Sequence, residues 1–276
     1  MNLNTKDVSA DDIVVLGVPF DAYSSYLKGP ALAPEAIRQK LLTGSANSST
    51  ETGAELKEHP RIRHVGDIEW EEESQAFNAI EEVIGEVAKG GGIPLTFGGD
   101  HSITFPIVKS LAPYHDEFTI LHFDAHPDLY DSFKGNPYSH ACPFARIMES
   151  GLAKRLVQVG IRTLNQHQRE QVERFSVEVH EMKDWKGPEQ IKLNTPVYIS
   201  IDIDALDPAY APGVSHLEPG GLSVRQVLDV IHNIDVPIIG ADIVEYNPTR
   251  DIHDVTAMVA IKLYKEVCGK ILTNAV

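Results

Sequence analysis

Along the chain, short apolar runs alternate with amphipathic stretches, a pattern that predicts an α/β fold on a mainly parallel sheet. The apolar runs place strands at Ile13–Val18, Pro94–Phe97, Phe118–Phe123, Leu156–Gly160, Val197–Ile203 and Ile238–Val244. Several are nearly unbroken in Val, Ile, Leu and Phe, as expected of strands buried on both faces. Amphipathic stretches place helices over Pro34–Leu42, Ser74–Lys89 and Ser223–Ile234. Ser223 with Gln226 three residues on is a capping-box signal. A last helix over Val255–Cys268 is expected to end at Gly269. Thr43–Glu58, rich in Ser, Thr, Gly and Glu, reads as a long loop or lid. No repeat, low-complexity tract or linker divides the chain, so residues 1–276 read as a single domain.

Three polar clusters fall where predicted strands end. They are Gly98-Gly99-Asp100-His101, Asp124-Ala125-His126-Pro127-Asp128 and Asp202-Ile203-Asp204. In open α/β sheets ligands bind at the carboxyl ends of the strands. Residues two apart in extended backbone share a face, which lets Asp124 pair with His126 and Asp202 with Asp204. Asp128 joins them if the chain bends at Pro127. With His101 the set is four carboxylates and two imidazoles. So many buried carboxylates repel one another and take up protons unless positive charge sits among them. Two divalent cations bridged by shared carboxylates resolve the conflict. Carboxylate with imidazole and no thiolate suits Mn²⁺, with Co²⁺, Ni²⁺ and Zn²⁺ as substitutes.

Charge and composition narrow the partners. The 276 residues carry a net charge of -16, which argues against nucleic acid or a membrane surface as partner and fits a small cationic substrate. Two cysteines, Cys142 and Cys268, are too few for a disulfide framework. The opening stretch lacks a charged segment followed by an apolar one, and no apolar run approaches the ~20 residues of a membrane span. These features together give a cytoplasmic expectation.

At these residues the sequence resembles the ureohydrolases, the family of arginases and agmatinases. The matching pieces are GGDHS (98–102), DAHPD (124–128), SH (139–140), SIDIDALDPAYAPG (200–213), EPGGLS (218–223) and DIVEYNP (242–248). They run over nearly the whole chain and look most like plant-type arginases and their bacterial relatives. The resemblance implies a three-layer α/β/α sandwich, arginase-like, in trimers or hexamers. It implies two Mn²⁺ per chain, one on His101 and Asp128, one on His126 and Asp204, bridged by Asp124 and Asp202. It makes Asp128, His140 and Glu245 the catalytic set, with His140 a proton shuttle and Glu245 the guanidinium acceptor. It brings Tyr130, Ser139, His140, His216 and Glu245 to the substrate.

The implied reaction is hydrolysis of a guanidino group to urea and an amine, L-arginine to ornithine or agmatine to putrescine. Two metal ions about 3.5–4 Å apart bind one water and lower its pKa, and the resulting hydroxide attacks the guanidinium carbon. The alternatives are 4-guanidinobutyrate or formiminoglutamate as substrate, a one-zinc deacetylase of related fold, and a non-catalytic metabolite-binding relative. Other residues have plainer roles. His122, on an apolar strand, reads as a hydrogen-bonded core residue, and Cys142 lacks the paired histidine of a catalytic thiol.

Overall fold

The computed structural model describes residues 3, 5 and 7–274. Eight strands form one sheet: β1 (Ile13–Gly17), β2 (Ile62–Asp67), β3 (Ile93–Phe97), β4 (Thr119–Phe123), β5 (Arg155–Ile161), β6 (Glu178–Glu181), β7 (Val197–Asp202) and β8 (Ile238–Val244). Their order is β2-β1-β3-β8-β7-β4-β5-β6, and every neighbouring pair is parallel. Parallel neighbours need crossover connections, and these are the helices. They are α1 (Ala33–Leu42), α2 (Ala76–Lys89), α3 (Thr104–Leu111), α4 (Pro143–Glu149), α5 (Gln166–Phe175), α6 (Val224–His232) and α7 (Val255–Asn274).

Two apolar clusters, one on each side of the sheet, make the fold a three-layer sandwich. Ile37 of α1, Val227 of α6 and Ala257 of α7 pack with Leu95, Leu121 and Ile199 on one side. Ile80 of α2, Ile107 of α3 and Phe144 of α4 pack with Val14, Ile120 and Tyr198 on the other. Alternate residues of one strand therefore face different helix layers. Every residue of β1, β4, β7 and β8 is buried, which explains their unbroken apolar runs.

The strands that the hydrophobic pattern misses are the two at the edges. β2 reads IRHVGD and β6 reads EVHE, and neither has a fully buried residue. An edge strand is half solvated and carries charge, so it leaves no apolar run. The predicted capping box at Ser223 and Gln226 is present. The expected stop at Gly269 is not, because α7 runs on to Asn274. A Cβ at Gly269 would lie 2.7 Å from Thr50 Cγ2, so this glycine lets the 43–58 segment approach the helix.

That segment is no lid over the polar clusters. Glu51 pairs with Arg225 and Lys262, and Lys265 Nζ donates to Asn47 O at 2.8 Å, strapping the segment to α6 and α7. It walls a cavity of about 780 Å³ beside α1 and α7 that shares no lining residue with the site described next.

Candidate metal centre and substrate cavity

The four middle strands of the sheet, β3, β8, β7 and β4, deliver all three polar clusters and Glu245 to one edge. Local backbone shapes this edge. A Cβ at Gly99 would meet Phe20 O at 1.8 Å, so only glycine permits that crossing. Asp100 is fully buried and accepts hydrogen bonds from Tyr23 N (3.0 Å) and Ser102 N (3.1 Å), holding the Tyr23 loop against the strand end. Asp128 and Glu245 have positive φ of 50° and 62°. Non-glycine residues persist there only where the surroundings hold them, as at functional sites.

His101 Nδ1 lies 3.2 Å from Asp124 Oδ2, 3.1 Å from Asp128 Oδ2 and 3.3 Å from Asp202 Oδ2. His126 Nδ1 lies 3.4 Å from Asp124 Oδ1 and 3.1 Å from Asp204 Oδ2. Asp124 thus reaches one imidazole with each oxygen. Asp202 and Asp204 each spend one oxygen on backbone, at Asp204 N (2.7 Å) and Ala125 N (3.1 Å), and turn the other toward an imidazole. Asp124, His126 and Asp204 offer three donor atoms within 4.8 Å of one another.

These donors fit cations. His101 Nδ1 is buried with three carboxylate oxygens close by, yet makes no hydrogen bond. Asp124, Asp128, Asp202 and Asp204 are all buried, and no lysine or arginine pairs with any of them among the described residues. In the bare protein, protons take the strain. Burial, reinforced by Asp204 and Asp124, holds Asp202 well above the usual carboxyl range. Burial and Asp124 raise Asp128 as well. Burial pulls His101 and His126 down, but the facing carboxylates outweigh it and hold both imidazoles above their ordinary value.

Behind the centre, hydrogen bonds set the imidazole tautomers. The buried Asp242 carboxylate receives Ser200 Oγ (2.6 Å) on Oδ1, and Tyr198 OH (2.5 Å) and Thr104 Oγ1 (2.8 Å) on Oδ2. A carboxylate only accepts, so Ser200 donates its hydrogen there and its oxygen accepts from His101 Nε2 at 2.9 Å. In the neutral imidazole the His101 proton therefore sits on Nε2, which leaves the Nδ1 lone pair, facing the carboxylates, for a cation. Gln158 works alike on His122. Its Nε2 donates to Pro127 O (2.7 Å) and His122 Nδ1 (3.0 Å), so His122 donates from Nε2 to Asp124 Oδ2 at 2.8 Å. His122 stacks on Phe144 and orients Asp124 as a core residue, in line with the expectation from sequence.

A cavity of about 290 Å³ opens in front of these groups. Tyr130, His140, His216 and Glu245 line it together with Asp128 and Asp204. Glu245 Oε1 accepts from His101 N at 3.1 Å and from His140 Nδ1 at 2.7 Å. Ser25 N lies 3.1 Å from His140 Nε2 and donates to it when the imidazole is neutral, a form in which the His140 proton sits on Nδ1. Burial lowers His140, and Glu245 and Asp100 outweigh it, raising the imidazole to about 9. His216 packs against the rings of Tyr26, His126 and His140, and its own imidazole is lowered by burial. Ser139 is buried and turns its hydroxyl to Tyr23 O at 3.5 Å, so it does not join the cavity lining as expected.

The sequence reading assigned no role to Ser25, Asp100, Arg162, Ser200, Glu218 or Asp242. Asp100, Ser200, Glu218 and Asp242 stand inside the quoted motifs, and for Ser200 and Asp242 a polar residue within an otherwise apolar strand was the available signal. Arg162 was legible only as a basic residue. Its guanidinium donates to Glu218 O, Gly160 O (2.9 Å) and Asp204 O (2.7 Å), tying the Glu218 loop and the turn at Asp204 to strand β5.

Such a centre, at the carboxyl edge of a parallel sheet and open to a narrow acidic cavity, is that of a binuclear metal hydrolase. Residues 11–269 match the Arginase family. The chain is 50% identical to arginase 1, mitochondrial, of Arabidopsis thaliana, with 93% of this chain and 80% of that one covered. It is 32% identical to an agmatinase of Bacillus anthracis, covering 93% and 90%. The structure of arginase from Medicago truncatula superposes with a TM-score of 0.89 at 45% identity, covering 96% and 88%. The chain belongs to the arginase family and is a metal-dependent guanidino-group hydrolase.

One expectation is overturned. Plant arginases 48–50% identical to the chain are named mitochondrial or chloroplastic/mitochondrial, and this overturns the cytoplasmic expectation.

Proposed function

We propose that the chain is an arginase, hydrolysing L-arginine to ornithine and urea with two Mn²⁺ ions. The observation that carries the reading is the bare His101 Nδ1 among three carboxylate oxygens, with Asp124 shared between His101 and His126. His101 and Asp128 would hold one ion and His126 and Asp204 the other, with Asp124 and Asp202 between them. The oxygen-rich, thiolate-free donor set supports manganese. When bound, the pair supplies an activated water and an electrophilic environment at the guanidinium carbon.

The chain's own groups do the rest. Glu245 Oε1 is engaged by His101 N–H and His140, which leaves Oε2 to accept a guanidinium N–H and orient the planar cation. His140 links Glu245 on Nδ1 to Ser25 on Nε2, a route for protons between the cavity floor and its mouth. Asp128 lines the cavity and is the carboxyl placed to take up the proton of the activated water and hand it to the leaving amine. Tyr130 and His216 shape the cavity around the alkyl chain.

The identity to plant arginases favours arginine over agmatine. Agmatine remains the second reading for a specific reason: among the described residues, no lysine or arginine lines the cavity to meet an α-carboxylate. Urea release by Mn²⁺-loaded protein, with L-arginine and agmatine compared against a metal-stripped control, separates the two. Metal-dependent urea from L-arginine at the higher kcat/KM is the expected result. A clear preference for agmatine would replace arginine in this reading. A trimer or hexamer is proposed from the family and is tested by light scattering.

A further inference from the structure

Glu218 stands apart from the other cavity carboxylates. Asp128, Asp202 and Asp204 face the two imidazoles of the centre, and Glu245 is engaged by His140. The Glu218 side chain lies at the rim, 37% exposed, and among the described residues no lysine or arginine pairs with it. Its nearest cationic neighbour is His126, whose Nε2 is 3.6 Å from Oε1, too far for a hydrogen bond. His126 thus separates the centre, on its Nδ1 side, from this carboxylate on its Nε2 side.

The backbone that carries this carboxylate is held in place. Arg162 Nε and Nη2 both donate to Glu218 O, and the same guanidinium donates to Asp204 O. Two residues on, Gly220 has φ 90° and donates its N–H to Asp207 Oδ2 at 2.7 Å, closing the turn. Glu218 and Asp204 are therefore set relative to one another by a single side chain. Among the described residues, a carboxylate is thus presented at the cavity mouth with only the His126 ring within ion-pair range and no hydrogen-bond donor engaged.

We propose that Glu218 receives an ammonium group at the substrate end remote from the guanidinium, so that the cavity selects guanidino compounds bearing both cations. This rests on the guanidino-hydrolase reading above and extends it to the distal end of the substrate. L-Arginine and agmatine both carry such an ammonium. Guanidino acids without one, such as 4-guanidinobutyrate, bring only a carboxylate to Glu218, and like charges at close range exclude rather than bind. The rim is wet, so the contact contributes a modest factor and not an absolute requirement.

The test is urea kinetics for wild type and Glu218→Gln on L-arginine, agmatine and 4-guanidinobutyrate, with bound metal counted in each protein. The expected outcome is a KM about three- to fivefold higher for L-arginine and agmatine, with kcat nearly unchanged. For 4-guanidinobutyrate the KM stays level or falls, and metal content is that of wild type. Equal losses on all three substrates with reduced metal content would overturn the proposal and make Glu218 an orienting group for His126. An unchanged KM on every substrate would overturn it too. Wild-type protein that holds two metals yet releases no urea from any of the three would instead refute the hydrolase reading on which the proposal stands.

Discussion

The two halves of the proposed metal centre are built from the same kinds of donor but in different surroundings. His101 is wholly buried, and its Nε2 is tied through Ser200 to Asp242, which gathers three hydroxyl donors. The His126 side chain is 26% exposed, and its Nε2 faces Glu218 across 3.6 Å without a hydrogen bond. One imidazole is locked in tautomer and position, while the other borders the cavity mouth. The difference teaches that the inner half is organised for holding a cation, whereas the outer half has room to meet substrate and solvent.

Asp124 is where the halves join, and replacing it removes the distinction altogether. Asp124→Asn is expected to lower activity at least about 10³-fold and to lose both metal equivalents together, read by metal analysis after gel filtration. Retention of one full equivalent would break the bridging picture.

Asp242→Asn should separate the halves. Oδ2 receives two donors and Oδ1 only one, so the amide nitrogen settles on the Ser200 side. Ser200 then donates to His101 Nε2 and forces the proton onto Nδ1, where a cation needs the lone pair. One metal equivalent should weaken by about 10- to 100-fold while the other holds, seen as a biphasic titration. Equal weakening of both would mean that the inner half is not independently set.

The smallest effect is on pH. Without metal, His101 and His126 are held above their ordinary values by the carboxylates, so their protons contribute stability below about pH 6.5 that is lost as pH rises. Cations replace those protons, so the Tm difference between loaded and stripped protein should widen by a few degrees from pH 6 to pH 8.5. A gap that narrows over this range would contradict the proton-for-cation exchange.

The proposed ligands of both halves were legible in the sequence. His101, Asp124, His126, Asp128, Asp202 and Asp204 announce themselves because polar groups at the ends of apolar strands conflict with burial. All six converge, since strands β3, β4 and β7 lie within one central block of the sheet. Asp242 and Ser200 were hidden by the same logic: one buried polar residue in an apolar strand reads as tolerated until its three-dimensional partners are known. Glu218 was hidden for the opposite reason, because an exposed loop glutamate resembles any surface charge. Among larger elements, β2 and β6 escaped through their polar edges, and Gly269 was misread because its neighbour Thr50 is remote in sequence.

The place of β8 in the sheet has a consequence for how the molecule comes into being. This strand is near the end of the chain, yet it pairs with β3 on one side and β7 on the other. Until Ile238–Val244 has been synthesised, β3 and β7 have a gap between them, and the clusters they carry cannot be drawn together. The contacts that close it are long-range, the kind that form slowly. Glu245 and Asp242 arrive with that same strand. A nascent chain that lacks this strand can therefore bury much of its apolar surface while remaining chemically silent, and the last strand of the sheet in chain order completes the active site.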